Sequence, residues 1–194
     1  MADNKYAGTQ TEKNLQEAFA GESQARNRYT LFAEVAKREG YEQIMGIFAE
    51  TAEQELAHAT RFFKLMTGGG MVGITAEYPA GRIGTTTENL LEAAEGERLE
   101  WSELYNNFEQ TALDEGFKDA AAAFKMISEV ESFHEWRYRK LLERLEQGSI
   151  FRRDAPIRWQ CRNCGYIYEG EVAPARCPAC LEPRSFFEPA RNNY

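Results

Sequence analysis

Two short motifs in this chain pair a glutamate with a histidine three residues later, and together they hold both of its histidines. Glu55 precedes His58, and 76 positions further on Glu131 precedes His134. On a helix, residues three apart project from one face with their Cβ atoms about 5–6 Å apart. Two Glu-x-x-His helices and one inward glutamate from each of two others form the ligand set of carboxylate-bridged di-iron bundles. The pattern therefore predicts a two-metal redox site.

Each half of the sequence supplies a further glutamate upstream of its motif. Glu22 lies among small and aromatic residues, and Glu97 has the matching place in the second half. A single glutamate is usually part of a solvated helix surface, but six candidate ligands at matching places in the two halves favour a metal site. Glu100 lies one turn after Glu97 and has no counterpart in the first half. The candidate metal ligands are Glu22, Glu55, His58, Glu97, Glu100, Glu131 and His134.

Two tyrosines follow the upstream glutamates by about two helical turns. Tyr29 comes seven positions after Glu22, and Tyr105 comes eight positions after Glu97. We expect both rings to pack in the core, and the alternative role for each is a hydrogen bond to a ligand carboxylate.

Four helices are predicted to position these residues. Apolar residues recur every three to four positions over residues 11–38, 41–66, 87–114 and 117–147, with Thr11 and Thr87 as candidate N-caps. The connection at 67–86 is long for a compact domain and suits a crossover along a bundle. The halves repeat, because Glu22 precedes Gly40 by 18 positions and Glu97 precedes Gly116 by 19. We therefore predict a duplicated helical hairpin that forms a four-helix bundle over residues 1–148.

The four cysteines form two Cys-x2-Cys pairs near the C-terminus. They are Cys161, Cys164, Cys177 and Cys180. This spacing favours a four-thiolate metal site, and disulfides are the competing interpretation. Residues 149–155 are predicted to be a linker and residues 156–194 a small domain. Fewer than about 40 residues rarely bury enough surface to fold unaided, so the metal must stabilise this domain.

Composition and charge limit the classes of function. The net charge of −8 argues against nucleic acid as the main partner. No apolar run approaches the roughly 20 residues of a membrane span, and the first residues show no apolar export signal. We therefore expect a cytoplasmic protein without a membrane or nucleic-acid partner.

At this level the chain resembles the rubrerythrins over essentially its whole length. The resemblance implies a mainly α fold, in which a ferritin-like four-helix bundle with a crossover connection precedes a small, metal-stabilised rubredoxin-like β domain. The residues that carry it are Phe-Ala-Gly-Glu-Ser-Gln-Ala-Arg-Asn-Arg-Tyr around Glu22, Glu55-x-x-His58, Glu97-x-x-Glu100, Glu131-x-x-His134, Cys161-Arg-Asn-Cys164-Gly165-Tyr166 and Cys177-Pro178-Ala179-Cys180.

This resemblance also implies cofactors and ligand roles. Two non-haem irons lie in the bundle, and one iron lies in the tetracysteine site. Glu55 and Glu131 bridge the pair of irons, Glu22 and Glu97 each hold one iron, and His134 is a permanent ligand.

The second histidine has a different implied role. In the family, one iron moves between Glu100 when oxidised and His58 when reduced. Exchange of a charged carboxylate for a neutral imidazole removes negative charge from a buried site, where a surplus charge is costly.

The activity implied by the resemblance is reduction of hydrogen peroxide to water in oxidative-stress defence. Electrons reach the di-iron site through the tetracysteine iron. An NAD(P)H-dependent reductase or a rubredoxin supplies these electrons to the tetracysteine iron. The rubredoxin-like domain of one subunit approaches the di-iron site of its partner, so a homodimer is implied.

Two alternatives remain open from the sequence. The first is a ferritin-like ferroxidase that handles iron, although storage needs no fused electron donor. The second is a zinc ribbon for partner binding, because zinc also takes four cysteine thiolates at this spacing. One departure from the pattern is Leu181, which follows Cys180 where free-standing rubredoxins usually have glycine. This departure leaves the ligation in place and puts the redox potential in doubt.

Overall fold

The structure, a computed structural model, describes residues 4–191. Residues 1–3 of the predicted bundle and residues 192–194 of the predicted small domain lie outside the described residues. Over residues 4–191 the chain forms a helical bundle followed by a small sheet. The helices are α1 (Gln10–Arg38), α2 (Glu42–Leu65), α3 (Thr86–Leu99), α4 (Tyr105–Asp114) and α5 (Lys118–Glu146). A π-helical turn, Glu100–Leu104, joins α3 to α4, so that these two helices together form the predicted third helix. The predicted four-helix bundle with its crossover is confirmed.

The helix starts differ from the predicted caps by two residues. Thr9, and not Thr11, caps α1, and its hydroxyl accepts the backbone N–H of Glu12 at 3.1 Å. Thr85, and not Thr87, caps α3 in a reciprocal capping box with Glu88. Several hydroxyl residues precede each helix, and propensity alone does not distinguish between neighbouring candidates.

The π-helical turn accounts for the unequal spacing of the two halves. A π-helical turn contains one residue more than an α-helical turn. It lies between Glu97 and Tyr105, which are separated by eight positions where Glu22 and Tyr29 are separated by seven. The extra residue keeps Tyr105 on the inner face of the bundle.

Two apolar clusters fill the bundle on either side of the predicted metal ligands. One contains Tyr29, Phe32 and Phe48, and the other contains Phe62 and Tyr105. On α1, α2 and α5 the predicted ligands lie between residues of the two clusters, and Glu97 and Glu100 lie between Ala94 of the first cluster and Tyr105 of the second. The ligands are therefore held in the middle of the bundle, away from its ends.

The C-terminal sheet consists of β1 (Arg152–Cys161), β2 (Ile167–Val172) and β3 (Phe187–Pro189) in the antiparallel order β2-β1-β3. Trp159 is fully buried at its centre. Strand β1 begins inside the segment predicted as a linker, and Ile150 packs in the bundle core. Phe151 stacks on Tyr41 with a centroid distance of 6.3 Å. These contacts attach the sheet to the end of the bundle, and the exact domain division stays a prediction.

Within residues 4–191, the helices are all too short or too polar to cross a lipid bilayer.

Candidate metal centres

The structure brings six of the seven predicted bundle residues into two overlapping groups. Each group contains four residues whose ligand atoms lie within 4.8 Å of one another. The first group is Glu22, Glu55, His58 and Glu131, and the second is Glu55, Glu97, Glu131 and His134. Because Glu55 and Glu131 belong to both, two metals held here would share two carboxylates.

The distances within the groups follow this division between shared and unshared carboxylates. The Nδ1 atom of His58 lies 3.0 Å from Glu55 and 2.9 Å from Glu131. The Nδ1 atom of His134 lies 3.2 Å and 2.7 Å from the same two residues. The unshared carboxylates lie further away, Glu22 at 3.8 Å from His58 and Glu97 at 3.7 Å from His134. The two half-sites are therefore pseudo-symmetric.

Buried polar atoms without hydrogen-bond partners indicate that the site is built for cations. They include carboxylate oxygens of all four grouped glutamates and the Nδ1 atom of His134. Buried polar atoms in proteins are normally hydrogen-bonded, and burying unpaired charge is costly. A set of carboxylate oxygens and imidazole nitrogens suits non-haem iron. The residues therefore fit a pair of iron ions.

The pKa values show the same charge crowding. Burial, together with Glu55, raises the pKa of Glu97 to about 8. Burial of Glu55 acts in the same direction, but the neighbouring imidazoles of His134 and His58 outweigh it and lower the pKa of that carboxyl to about 2. Burial lowers the pKa of His134, yet Glu131 and Glu55 outweigh burial and raise it to about 12. Metal binding must displace these protons from the imidazoles, so metal affinity falls as pH falls.

Both tyrosines hydrogen-bond to a glutamate on the opposite hairpin. The Tyr29 hydroxyl on α1 donates to Glu97 of α3 at 2.5 Å, and the Tyr105 hydroxyl on α4 donates to Glu22 of α1. The two rings are 1% and 2% exposed, so core packing is confirmed together with the alternative carboxylate role. Each bond limits rotation of the carboxylate that it holds.

The four cysteine sulfurs form a separate cluster. Cys161 and Cys180 place their sulfurs 3.7 Å apart, and Cys164 and Cys177 place theirs 3.6 Å apart. A disulfide needs about 2.05 Å, so the disulfide interpretation is wrong and all four thiols are free. A tetrahedral ion about 2.3 Å from each sulfur would separate neighbouring sulfurs by about 3.8 Å. The cluster therefore fits one metal ion.

Comparisons with known proteins agree with both centres. A family model described as rubrerythrin matches residues 13–142, and one described as the rubredoxin-like domain of rubrerythrin matches residues 159–188. The rubrerythrin of Porphyromonas gingivalis is 58% identical over 187 residues, 96% of this chain and 93% of that protein. Rubrerythrin-1 of Clostridium acetobutylicum is 52% identical over 191 residues, 96% and 97% of the two chains. The chain belongs to the rubrerythrin family.

A solved relative of this rubrerythrin shows the same fold. Fully reduced, all-ferrous nigerythrin is 33% identical, with a TM-score of 0.64 over 98% of this chain and 91% of that chain. The predicted cofactors, a di-iron site in the bundle and an iron in the tetracysteine site, are confirmed by the family and by the two ligand clusters. As a rubrerythrin, the protein is an iron-dependent oxidoreductase.

The two histidines of this rubrerythrin differ in how firmly they are held. The Nε2 atom of His134 lies 3.0 Å from the side-chain oxygen of Gln54, which also accepts a hydrogen bond from Arg137 at 3.4 Å. Arg137 is itself held by Thr51 at 2.5 Å. Such support on the second ring nitrogen orients a metal-binding histidine. His58 makes its carboxylate contacts through Nδ1, and its side chain is 12% exposed where that of His134 is 1% exposed.

Sequence reasoning missed Gln54 as a supporting residue. Its one visible signal is that it precedes Glu55, and that position gives no indication that its amide reaches across from α2 to α5. The contact depends on the packing of two helices, which the sequence pattern leaves open.

Glu100 is the predicted ligand that the structure leaves outside both groups. It is half-buried at the first position of the π-helical turn and lines a cavity beside the site. Burial, and then repulsion by Glu22 and Glu97, raises its pKa well above the usual value. Its role as a metal ligand stays a prediction.

The two cysteine turns have the same backbone conformation despite the unusual leucine. Gly165 has φ +79° and Leu181 has φ +65°. The Gly165 N–H donates to the carbonyl of Cys161 at 2.8 Å, and the Leu181 N–H donates to the carbonyl of Cys177 at 2.9 Å. A leucine in the left-handed region is strained by about 1–2 kcal/mol. The turn geometry that Gly165 adopts without strain is therefore obtained at Leu181 at a cost in stability.

We expect Leu181→Gly to raise the free energy of unfolding of the tetracysteine domain by roughly 1 kcal/mol, because glycine has no steric penalty at this φ. The leucine side chain is 62% exposed, so its loss removes little packing. The measurement is guanidinium unfolding of the iron-loaded protein, followed by the thiolate-to-iron absorption. Gly165→Ala is the matched control and is expected to shift the midpoint in the opposite direction. A lower midpoint for Leu181→Gly would contradict the strain argument.

Proposed function

We propose that this protein reduces hydrogen peroxide to water in defence against oxidative stress. The observation that carries the proposal is the presence, in one chain, of two buried ligand groups that share carboxylates and of a four-cysteine site. Splitting one peroxide into two waters takes two electrons and two protons. When bound, two ferrous ions supply one electron each, which matches this need without release of a one-electron product.

We further propose that the grouped residues are the iron ligands. Glu55 and Glu131 would hold both irons, because both groups contain them. Glu22 with His58, and Glu97 with His134, complete the two half-sites.

Glu100 is proposed to exchange with His58 when the oxidation state changes. The structure has His58 inside a ligand group and Glu100 outside it, which is the arrangement that the family resemblance implies for the reduced state. The loose hold on His58 and the firm hold on His134 also support this assignment. The same two observations make His134 the permanent ligand.

The surrounding side chains keep this site ordered and dry. Tyr29 and Tyr105 fix the outer carboxylates from opposite hairpins. Glu22, Glu55, Glu97 and Glu131 are each at most 1% exposed. Preorganised ligands and the exclusion of bulk water both strengthen electrostatic interactions with reacting groups.

Electrons are proposed to come from the tetracysteine iron of a second copy of the chain. The Arg162 guanidinium, next to Cys161, lies against Gly46 of α2, where an added Cβ would collide with its Nη2 atom. Gly46 precedes Glu55 by nine positions, about 14 Å along the helix axis. The tetracysteine domain thus docks at the end of its own bundle, which favours transfer to the partner's di-iron site in a homodimer.

A stripe of exposed apolar residues on α5 supports the homodimer. Met126, Val130, Phe133 and Trp136 recur every three to four positions and are 37–55% exposed. Phe133 stacks on Trp136 with a centroid distance of 5.4 Å. Contiguous exposed apolar patches mark interaction surfaces, and we expect a second copy to cover this one.

The external donor is proposed to be an NAD(P)H-dependent reductase or a rubredoxin, for which the exposed Cys164 offers a surface contact near the iron. We also propose a cytoplasmic location, because four free thiols are maintained in a reducing compartment.

Anaerobic stopped-flow oxidation of the di-ferrous protein tests the activity. We expect hydrogen peroxide to oxidise the di-iron site faster than O2 does at equal concentration. A Glu55→Gln variant, which lacks one shared carboxylate, is the control and is expected to lose the fast phase. Faster oxidation by O2 would contradict the peroxidase proposal and favour the ferroxidase alternative.

A further inference from the structure

A cavity of about 260 Å³ lies beside the di-iron site, between α1 and the π-helical turn. Glu100 and Tyr105 line its inner side, and the Tyr105 hydroxyl hydrogen-bonds to Glu22. Leu104 and Phe108 add apolar surface to its wall. The cavity is therefore separated from the ligand groups by two side chains, one of which, Glu100, belongs to neither group.

The crossover connection covers this cavity through Tyr78. The Tyr78 hydroxyl donates to the backbone carbonyl of Glu17 on α1 at 2.9 Å. Its ring lies over Gly21, where a Cβ would be 3.8 Å from the Tyr78 Cε1 atom. Tyr78 lines the cavity and is 38% exposed, so it contacts both the cavity and solvent. The single hydrogen bond fixes the ring at the boundary between the cavity and water.

The size and charge of the cavity indicate what it admits. A water molecule takes about 30 Å³ of the liquid, so the cavity has room for molecules several times larger than hydrogen peroxide. Glu17, Glu77 and Glu100 line it, against the single guanidinium of Arg28. An acidic lining disfavours anions and leaves neutral molecules unaffected. An uncharged hydroperoxide with an apolar group would fit the cavity, and the Tyr78 ring lies at its boundary with solvent.

We propose that this cavity is the route by which hydroperoxides reach the di-iron site, and that Tyr78 restricts the route to small ones. The proposal rests on the peroxidase function proposed above. Reduction of a hydroperoxide ROOH breaks its O–O bond, consumes two protons and the two electrons of the ferrous pair, and gives ROH and water. Tyr78 takes no part in that chemistry; it determines which hydroperoxides arrive.

The test compares Tyr78→Ala and Tyr78→Phe with the unchanged protein. Anaerobic stopped-flow measures oxidation of the di-ferrous protein by hydrogen peroxide and by cumene hydroperoxide. We expect the ratio of the cumene hydroperoxide rate to the hydrogen peroxide rate to rise about tenfold in Tyr78→Ala. Tyr78→Phe keeps the ring and loses the bond to Glu17, so a smaller rise is expected. Met71→Ala is the matched control, because Met71 lies on the same crossover and is fully exposed.

Hydrogen–deuterium exchange supplies a readout that does not depend on turnover. In the iron-loaded protein, we expect the N–H groups of α1 around Glu17, whose carbonyl the Tyr78 hydroxyl holds, to exchange faster in both Tyr78 variants and not in Met71→Ala. An unchanged rate ratio in Tyr78→Ala, or an equal rise in Met71→Ala, would overturn the role of Tyr78 while leaving the peroxidase proposal intact. Failure of hydrogen peroxide to oxidise the unchanged protein would overturn both.

Discussion

We expect the Cys161→Ala variant to lose donor-driven peroxide turnover, with the steady-state rate falling at least about 100-fold, and to keep a single round of peroxide reduction. Cys161 is fully buried in the apolar cluster of the C-terminal domain. A small domain that depends on a structural metal loses about 10 kcal/mol or more of folding free energy when the site is broken. The bundle has two apolar clusters of its own, so it should hold its irons without that domain.

Two measurements on this variant separate electron supply from peroxide chemistry. Stopped-flow oxidation of the chemically reduced protein reports the single round, and turnover with a reductase and rubredoxin reports the supply. Tyr168→Phe, a conservative change on β2 that leaves the cysteines in place, is the control. Retained steady-state turnover in Cys161→Ala would show that the tetracysteine iron is not on the electron route.

The same variant tests whether electrons cross between chains. Mixed with Glu55→Gln chains, which keep the cysteines and lack a shared bundle carboxylate, Cys161→Ala chains supply the intact di-iron site. Because the tetracysteine domain docks about 14 Å along α2 from the level of Glu55 in its own chain, we expect the mixture to regain turnover. Absence of recovery in verified mixed dimers would indicate transfer within one chain.

The sequence was sufficient to predict the residues that the fold repeats. Glu55 and Glu131 have the same place in two similar hairpins, and helical periodicity alone puts each on the same face as its histidine. Duplication then brings the two halves together around one centre. The cysteines were equally predictable, because their spacing allows few other arrangements.

Features that depend on contact between helices were not predictable in the same way. Gln54 supports His134 only because α2 and α5 pack at one particular register. The bond from Tyr105 to Glu22 depends on the π-helical turn, which lies between Glu97 and Tyr105. In the sequence, this turn is visible only as one extra position between Glu97 and Tyr105, which does not by itself indicate a π-helical turn.

We expect opposite failures from alanine substitution of the two histidines. His58→Ala is expected to retain iron in the oxidised state and to slow re-reduction at least about tenfold, equivalent to about 1.4 kcal/mol. Without His58, the reduced site would have to keep the negative charge of Glu100 in a buried environment, which is costly. His134→Ala is expected to lose iron in both oxidation states.

The difference between the two variants follows from how the structure holds the rings. Gln54 fixes His134 through its second nitrogen, and loss of such supporting residues alone costs about 10–100-fold in metal affinity. His58 has the more exposed side chain, and Glu100, its proposed replacement, lines the adjacent cavity. Iron content against a competing chelator, in both oxidation states, and stopped-flow re-reduction rates measure the two effects. Comparable iron loss from His58→Ala in both states would refute the exchange and make the two histidines equivalent ligands.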